Sequence, residues 1–246
     1  MRRLIVLLCA KRSGSTAVFR MFQAHSGASI PHPDPSIELW EPNFWNYASE
    51  AIAGNPARFC ERYPRAHPVV RGRVPTRDED AFEMWDQMHE RFGAVLFDKT
   101  PKLLVEDGGL DLLLRYRALG RDVRLIGLVR DPRDVIASQF ERWGGMVEGD
   151  SPKRRERAWV RAYERLEALR KRVPVAVFRY EDMSHCPASG ASAMLACCGL
   201  CDEARAYAHI RPVSVGRYST TTCRALQAWS PGDAMCRLMA LWHYDI

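Results

Sequence analysis

No apolar run in the 246-residue chain approaches the roughly 20 residues of a membrane-spanning helix. There is one Cys-x-x-Cys spacing, Cys198 and Cys201, and no second close pair to complete a zinc site. Of the eight cysteines, the cluster at Cys197, Cys198 and Cys201 therefore reads as small apolar thiols and Cys9, in the first apolar run, as core, and a reducing, cytoplasmic setting is expected. The chain also lacks a base-reading motif, an internal repeat and a linker of biased composition. Nucleic acid is thus not an expected partner, and residues 1–246 are expected to form a single domain. Arg2 and Arg3 followed by apolar residues imitate a secretory leader, but Lys11 and Arg12 come straight after and no small-residue cleavage site is present. What the chain does have is a 47% hydrophobic content, enough for a substantial core, and a net charge of +6, which suits an anionic ligand.

Residues 4–24 carry the most information. A short apolar run from Leu4 to Cys9 has the length of a buried strand. It breaks into Lys11-Arg12-Ser13-Gly14-Ser15-Thr16, after which Val18, Phe19 and Phe22 recur at helical spacing. A strand, a tight loop and a helix in that order aim unpaired backbone N–H groups and the helix dipole at one point, which suits a phosphate. Gly14 permits close backbone approach, Ser13, Ser15 and Thr16 offer hydroxyls, and Lys11 and Arg12 supply charge. The loop is not a Walker A motif, because no lysine follows Gly14.

A second segment has the same layout. Residues 123–129 read as an apolar strand, followed by Arg130-Asp131-Pro132-Arg133-Asp134-Val135-Ile136-Ala137-Ser138. Asp131 suits a helix N-cap and Pro132 the first helical position. Arg130 falls at the carboxyl end of the strand, where open α/β sheets bind ligands.

Further strands are expected near 94–98 and 174–179, with a short one at 69–71. Helices are expected near 15–26, 79–92, 109–119, 132–143, 153–172, 188–198 and 231–241. In the long helix, Trp159, Ala162, Tyr163, Leu166 and Leu169 form one apolar stripe, leaving its arginines largely on the solvated side. Residues 144–152 read as a loop. This alternation predicts an α/β fold with a parallel sheet. Residues 27–78 are the least regular stretch and are expected to hold much of a substrate site.

Together the two strand–loop–helix segments resemble the sulfotransferases that use 3′-phosphoadenosine 5′-phosphosulfate (PAPS). Arg12-Ser13-Gly14-Ser15-Thr16 is similar to that family's 5′-phosphosulfate loop, and residues 130–138 to its 3′-phosphate segment. Three further stretches extend the likeness. Phe178-Arg179-Tyr180-Glu181-Asp182-Met183 follows a strand. Phe97-Asp98-Lys99-Thr100-Pro101 looks like the corresponding segment of the carbohydrate- and tyrosine-modifying branches. Ser214-Val215-Gly216-Arg217-Tyr218 resembles a late basic loop over the nucleotide. Two positions depart from the pattern: Lys11 stands where proline is frequent, and Tyr218 where the late loop usually has tryptophan.

The resemblance implies a P-loop-like three-layer fold, a central parallel sheet flanked by helices. It also implies a nucleotide site built from Lys11, Arg12, Ser13, Gly14, Ser15, Thr16, Arg130, Ser138, Tyr180 and Arg217. Arg12 goes to the 5′-phosphate and departing oxygen, Arg130 and Ser138 to the 3′-phosphate, and Arg217 clamps the nucleotide. Tyr180 either shapes the adenine pocket or belongs to the core. Lys99 either sits near the reacting group or forms an ion pair with Asp98 or Asp107. No metal is implied.

Sulfuryl transfer also needs a base for the acceptor's proton. The candidates are His32, Glu38 and Glu41, with Glu41 preferred because, in Leu39-Trp40-Glu41-Pro42, it sits among aromatics that would raise its pKa by desolvation. Trp40, Phe44 and Trp45 either line an acceptor pocket or pack as core. The acceptor is expected to be a small molecule, glycan or natural product. Two other readings compete: a small-molecule kinase, with Asp131 as a mimic of the magnesium-binding carboxylate, and a non-catalytic nucleotide-binding module.

Overall fold

Residues 4–9 are buried on both faces of their strand, so helices must cover each side of the sheet that contains them. The computed structural model describes residues 2–32, 41–143, 150–210 and 215–245. Its strands are β1 (Arg3–Cys9), β2 (Val95–Lys99), β3 (Asp122–Val129) and β4 (Ala176–Arg179). They form one four-stranded sheet in the order β2-β1-β3-β4, and all pairings are parallel.

The helices are α1 (Ser15–Ala24), α2 (Phe44–Ile52), α3 (Ala57–Arg62), α4 (Asp78–Phe92), α5 (Gly109–Ala118), α6 (Pro132–Trp143), α7 (Pro152–Arg170), α8 (Tyr180–His185), α9 (Pro187–Cys197), α10 (Arg224–Gln227) and α11 (Asp233–Leu241). Strand alternation divides the core into two. Leu4, Val6 and Leu8 pack with α2, α4, α5, α7 and α11, whereas Ile5, Leu7 and Cys9 pack with Phe19 and Phe22 of α1 and Leu195 of α9. Burial pushes the Cys9 thiol up to about 12, as befits a core residue.

Two expectations need correction, and one pair of alternatives is decided. Residues 69–71 form turns, not a strand. The His67 Nδ1 accepts the amides of Val69 and Val70 at 3.3 and 3.1 Å, the groups that a strand would offer to a neighbour. Burial holds this imidazole down at about 4, so it is neutral and able to accept. Second, the supposedly irregular stretch contains α2 and α3. Of the two alternatives for Phe44 and Trp45, packing as core is the one the structure adopts: both are completely buried against Trp85 of α4. Trp40 and Glu38 lie outside the described residues.

Candidate active site

In the strand order β2-β1-β3-β4 the chain leaves β1 toward one edge and returns on its other side at β3. Connections therefore diverge between β1 and β3, and the crevice beyond their carboxyl ends is where such sheets take ligands. The two motif segments are the turns that follow β1 and β3.

The first turn is tightly specified. Arg12 and Gly14 both adopt left-handed backbone, with φ of 70° and 90°. The helix α1 opens at Ser15 with Gly14 as its N-cap, so no side chain at that position satisfies the first-turn amides. Tyr163 of α7 fastens the turn from beneath. Its hydroxyl accepts from the Ala10 amide (3.2 Å) and the Ser13 hydroxyl (2.9 Å), and donates to the Leu128 carbonyl on β3 (2.9 Å). Ser13 is thus fully buried with its hydroxyl turned inward.

At the second turn, the Asp131 carboxylate accepts the Arg133 amide at 2.8 Å and caps α6. Arg130, only 3% exposed, reaches across to the first turn and donates to the Arg12 carbonyl at 3.0 Å. The Arg12 Nε in turn donates to the Ser138 hydroxyl at 2.9 Å. These two bonds lock the turns to each other. Arg130 also lies over the Tyr180 ring, 5.1 Å from its centroid.

Between the turns lies a cavity of about 550 Å³, within the roughly 300–1,000 Å³ usual for small-molecule sites. Its lining includes Lys11, Arg12, Arg130, Arg142, Arg217 and Lys99, and Glu41 as the one carboxylate among the described residues. Burial, followed by repulsion from Arg217, Arg130 and Arg142, lowers the pKa of Arg12, with Glu141 opposing. So many guanidiniums at close range form an arrangement that an anion stabilises.

At the far side, β2 ends in Asp98 and Lys99, which strand alternation sends to opposite faces. Lys99 enters the cavity, where its ammonium lies 3.1 Å from a Glu41 carboxylate oxygen. Asp98 enters the core. Its Oδ1 accepts the Thr100 hydroxyl at 2.7 Å, while Oδ2 has no hydrogen-bond partner among the described residues. Burial drives Asp98 up to about 7, with the Thr100 hydrogen bond opposing and Glu41 adding to the rise.

The sulfotransferase family model matches residues 5–203. The chain belongs to the sulfotransferase family. No curated protein matches the chain by sequence. In structure it is similar to the sulfotransferase domain of the olefin synthase of Synechococcus PCC 7002, with a TM-score of 0.70, 16% identity and coverage of 100% of this chain and 96% of that one. It is also similar to the sulfotransferase domain from the curacin biosynthetic pathway (TM-score 0.66, 16% identity, covering 100% and 99%). A mouse sulfotransferase complexed with PAP matches at a TM-score of 0.50 and 12% identity, covering 97% and 82%. The fold is accordingly the P-loop-like three-layer one of sulfotransferases.

In this sulfotransferase Lys11, Arg12, Gly14, Ser15, Thr16, Arg130, Ser138, Tyr180, Arg217, Lys99 and Glu41 all line the one cavity. Ser13 and His32 do not. Lys99 pairs with Glu41 instead of Asp98 or Asp107, and Asp107 goes to Arg165. Tyr180 both lines the cavity and belongs to the buried core; a Cβ on Gly14 would fall 2.1 Å from its ring, so it is packed directly on the loop. Tyr218, where the late loop usually has tryptophan, places its hydroxyl 3.3 Å from the carbonyls of Leu226 and Trp229.

Sequence reading missed six contributors to the lining, Ala17, Arg20, Pro101, Arg142, Trp143 and His209. Helical spacing offered a signal for two of them. Arg20 follows Thr16, and Arg142 follows Ser138, by four residues. Trp143 lies beneath the Lys11 ammonium and Arg12 guanidinium, at 5.9 and 5.8 Å.

Proposed function

We propose that the protein transfers a sulfuryl group from PAPS to a hydroxyl or amine acceptor by in-line displacement. The observation that carries this reading is the convergence of Arg12 and Arg130, 118 residues apart, on one cationic cavity. A ligand with anionic groups at two ends fits such a site better than a single phosphate does. The mouse relative's complex with PAP supports a 3′,5′-bisphosphorylated nucleotide.

The donor supplies an activated sulfur–oxygen bond. The first-turn amides of α1 and the Arg12 guanidinium hold the 5′-phosphate and stabilise charge on its departing bridging oxygen. Arg130 and Ser138 hold the 3′-phosphate. The Ser138 oxygen accepts from Arg12, which leaves its own proton for a phosphate oxygen. Arg217 closes over the nucleotide. Glu41 takes the proton of the acceptor hydroxyl as its oxygen bonds to sulfur, and the electron pair of the old sulfur–oxygen bond passes to the 5′-phosphate. Lys99 orients Glu41 and adds positive charge at the reacting group. Glu41 is preferred over His32 because it lines the cavity and His32 does not.

The acceptor is a small molecule, a glycan or a natural product, handled by one domain over residues 1–246 in the cytoplasm. A kinase reading is not favoured: Asp131 caps α6 and pairs with Arg133, outside the cavity lining. Thermal-shift titration separates the cases. Adenosine 3′,5′-bisphosphate should stabilise the protein, and ATP with Mg²⁺ should not. Stabilisation by ATP alone would reject sulfuryl transfer, while bisphosphate binding without transfer to any acceptor would leave a nucleotide-binding module.

A further inference from the structure

Asp134 sits in the first turn of α6 and is 3% exposed. A buried carboxylate beside an anion site weakens that site by simple repulsion, so its presence there needs a reason. Its contacts supply one. Oδ2 accepts the Gly216 amide at 2.7 Å, and Oδ1 accepts the Tyr218 amide at 2.8 Å. The same Oδ2 lies 3.3 Å from the Arg130 guanidinium. The two amides flank Arg217, so one carboxylate fixes the backbone on both sides of that residue and also touches Arg130. Gly216 permits the grip because its backbone is left-handed, with φ 78°.

The Arg217 side chain is held differently. Its guanidinium pairs with Glu141, also on α6, and both groups are well exposed. An exposed pair of this kind contributes little and exchanges readily, whereas buried charge-assisted hydrogen bonds are stronger.

We propose that Asp134 is a positioning residue that seats residues 216–218 over the nucleotide, and that Glu141 merely parks Arg217 until the nucleotide takes it. This deepens the nucleotide reading above and rests on it. The two carboxylates then act with opposite sign. Charge alone predicts that removing either strengthens anion binding.

The test is calorimetric titration of adenosine 3′,5′-bisphosphate into the full-length protein. Glu141→Gln should bind it several-fold more tightly. Asp134→Asn should bind it about 10-fold more weakly, despite the lost negative charge. With donor and an acceptor, the KM for the donor should rise in Asp134→Asn while kcat at saturation stays within about 2-fold, which a partly unfolded protein would not show. Should Asp134→Asn fail to fold, Gly216→Ala serves instead. It alters no charge, meets open space apart from the Ser219 hydroxyl at 3.9 Å, and strains only the loop; it should weaken the bisphosphate several-fold. Asp134→Asn binding as tightly as wild type or more tightly overturns the proposal, as does unchanged affinity in Gly216→Ala. A wild type that ignores the bisphosphate overturns the nucleotide reading and the clamp together.

Discussion

The Lys99 ammonium and the Glu41 carboxylate meet at 3.1 Å, although one ends β2 and the other precedes α2 by three residues. Lys99 is 3% exposed at its side chain and Glu41 32%, so the ammonium gains a partner for its burial while the carboxylate keeps an open side toward the cavity. Replacing Glu41 by Gln removes the proposed base and keeps the shape. Turnover should fall about 100-fold or more, with bisphosphate affinity changed little. Steady-state rates and calorimetry on the same variant check this; full turnover would move the base to His32 or Glu38.

Arg130→Ala should weaken adenosine 3′,5′-bisphosphate about 10-fold or more, because a charge-assisted contact in a nearly dry site is lost. Adenosine 5′-monophosphate, which lacks the 3′ group, should bind the variant and the wild type alike. Equal loss for both nucleotides would mean that Arg130 acts only by holding the Arg12 carbonyl.

Asp98 makes stability depend on pH in a definite direction. Its carboxyl titrates near 3.8 when unfolded and at about 7 when folded, so between those values the folded state binds more protons. Stability is therefore greatest at the acid end of that window and falls as pH rises through it, by an amount on the order of a few kcal/mol. Asp98→Asn removes the titration. Its denaturation midpoint should be flatter across the window and higher than wild type above it, as chemical denaturation at a series of pH values can measure.

Gly14→Ala should abolish nucleotide stabilisation in a thermal-shift assay. The added methyl meets the Tyr180 ring at 2.1 Å on a backbone with φ 90°, so either the ring or the loop must move. Retained binding would mean that the loop does not touch the ligand.

Tyr163→Phe deletes the hydroxyl that joins Ala10, Ser13 and Leu128. The variant should lose about 1–3 kcal/mol, since buried donors are left unsatisfied. It should also bind the bisphosphate less well, because the phosphate loop loses its support. Urea unfolding and calorimetry read the two effects separately.

The strands and most helices were legible because residues 4–9 and 123–129 are apolar over strand length and the long helix has a clear stripe. Arg12, Arg130 and Ser138 were legible because their motifs are local. What escaped was non-local. Helix α2 begins at Phe44 with an N-cap, Asn43, in left-handed backbone at φ 51° and without a side-chain cap bond, so no start signal marks it. Trp45 is buried by partners on α4 and α5, which only the tertiary fold brings near. Tyr163 looked like one member of an apolar stripe. Its hydroxyl matters because β1 and β3 end beside it, and no spacing in the sequence reports that.

Strands β1 and β3 are immediate neighbours, with Cys9 level with Leu128. The roots of the two cavity-lining turns are thus one sheet spacing apart, roughly 4.8 Å. The sheet acts as a ruler for any ligand held between the two turns, and its gauge is fixed by backbone hydrogen bonds that side-chain substitutions leave alone. Glu41 stands outside that ruler, on a connection that answers to the packing of α2. Under the proposed function, acceptors can diversify in such a scaffold through the connection while the two turns stay constant.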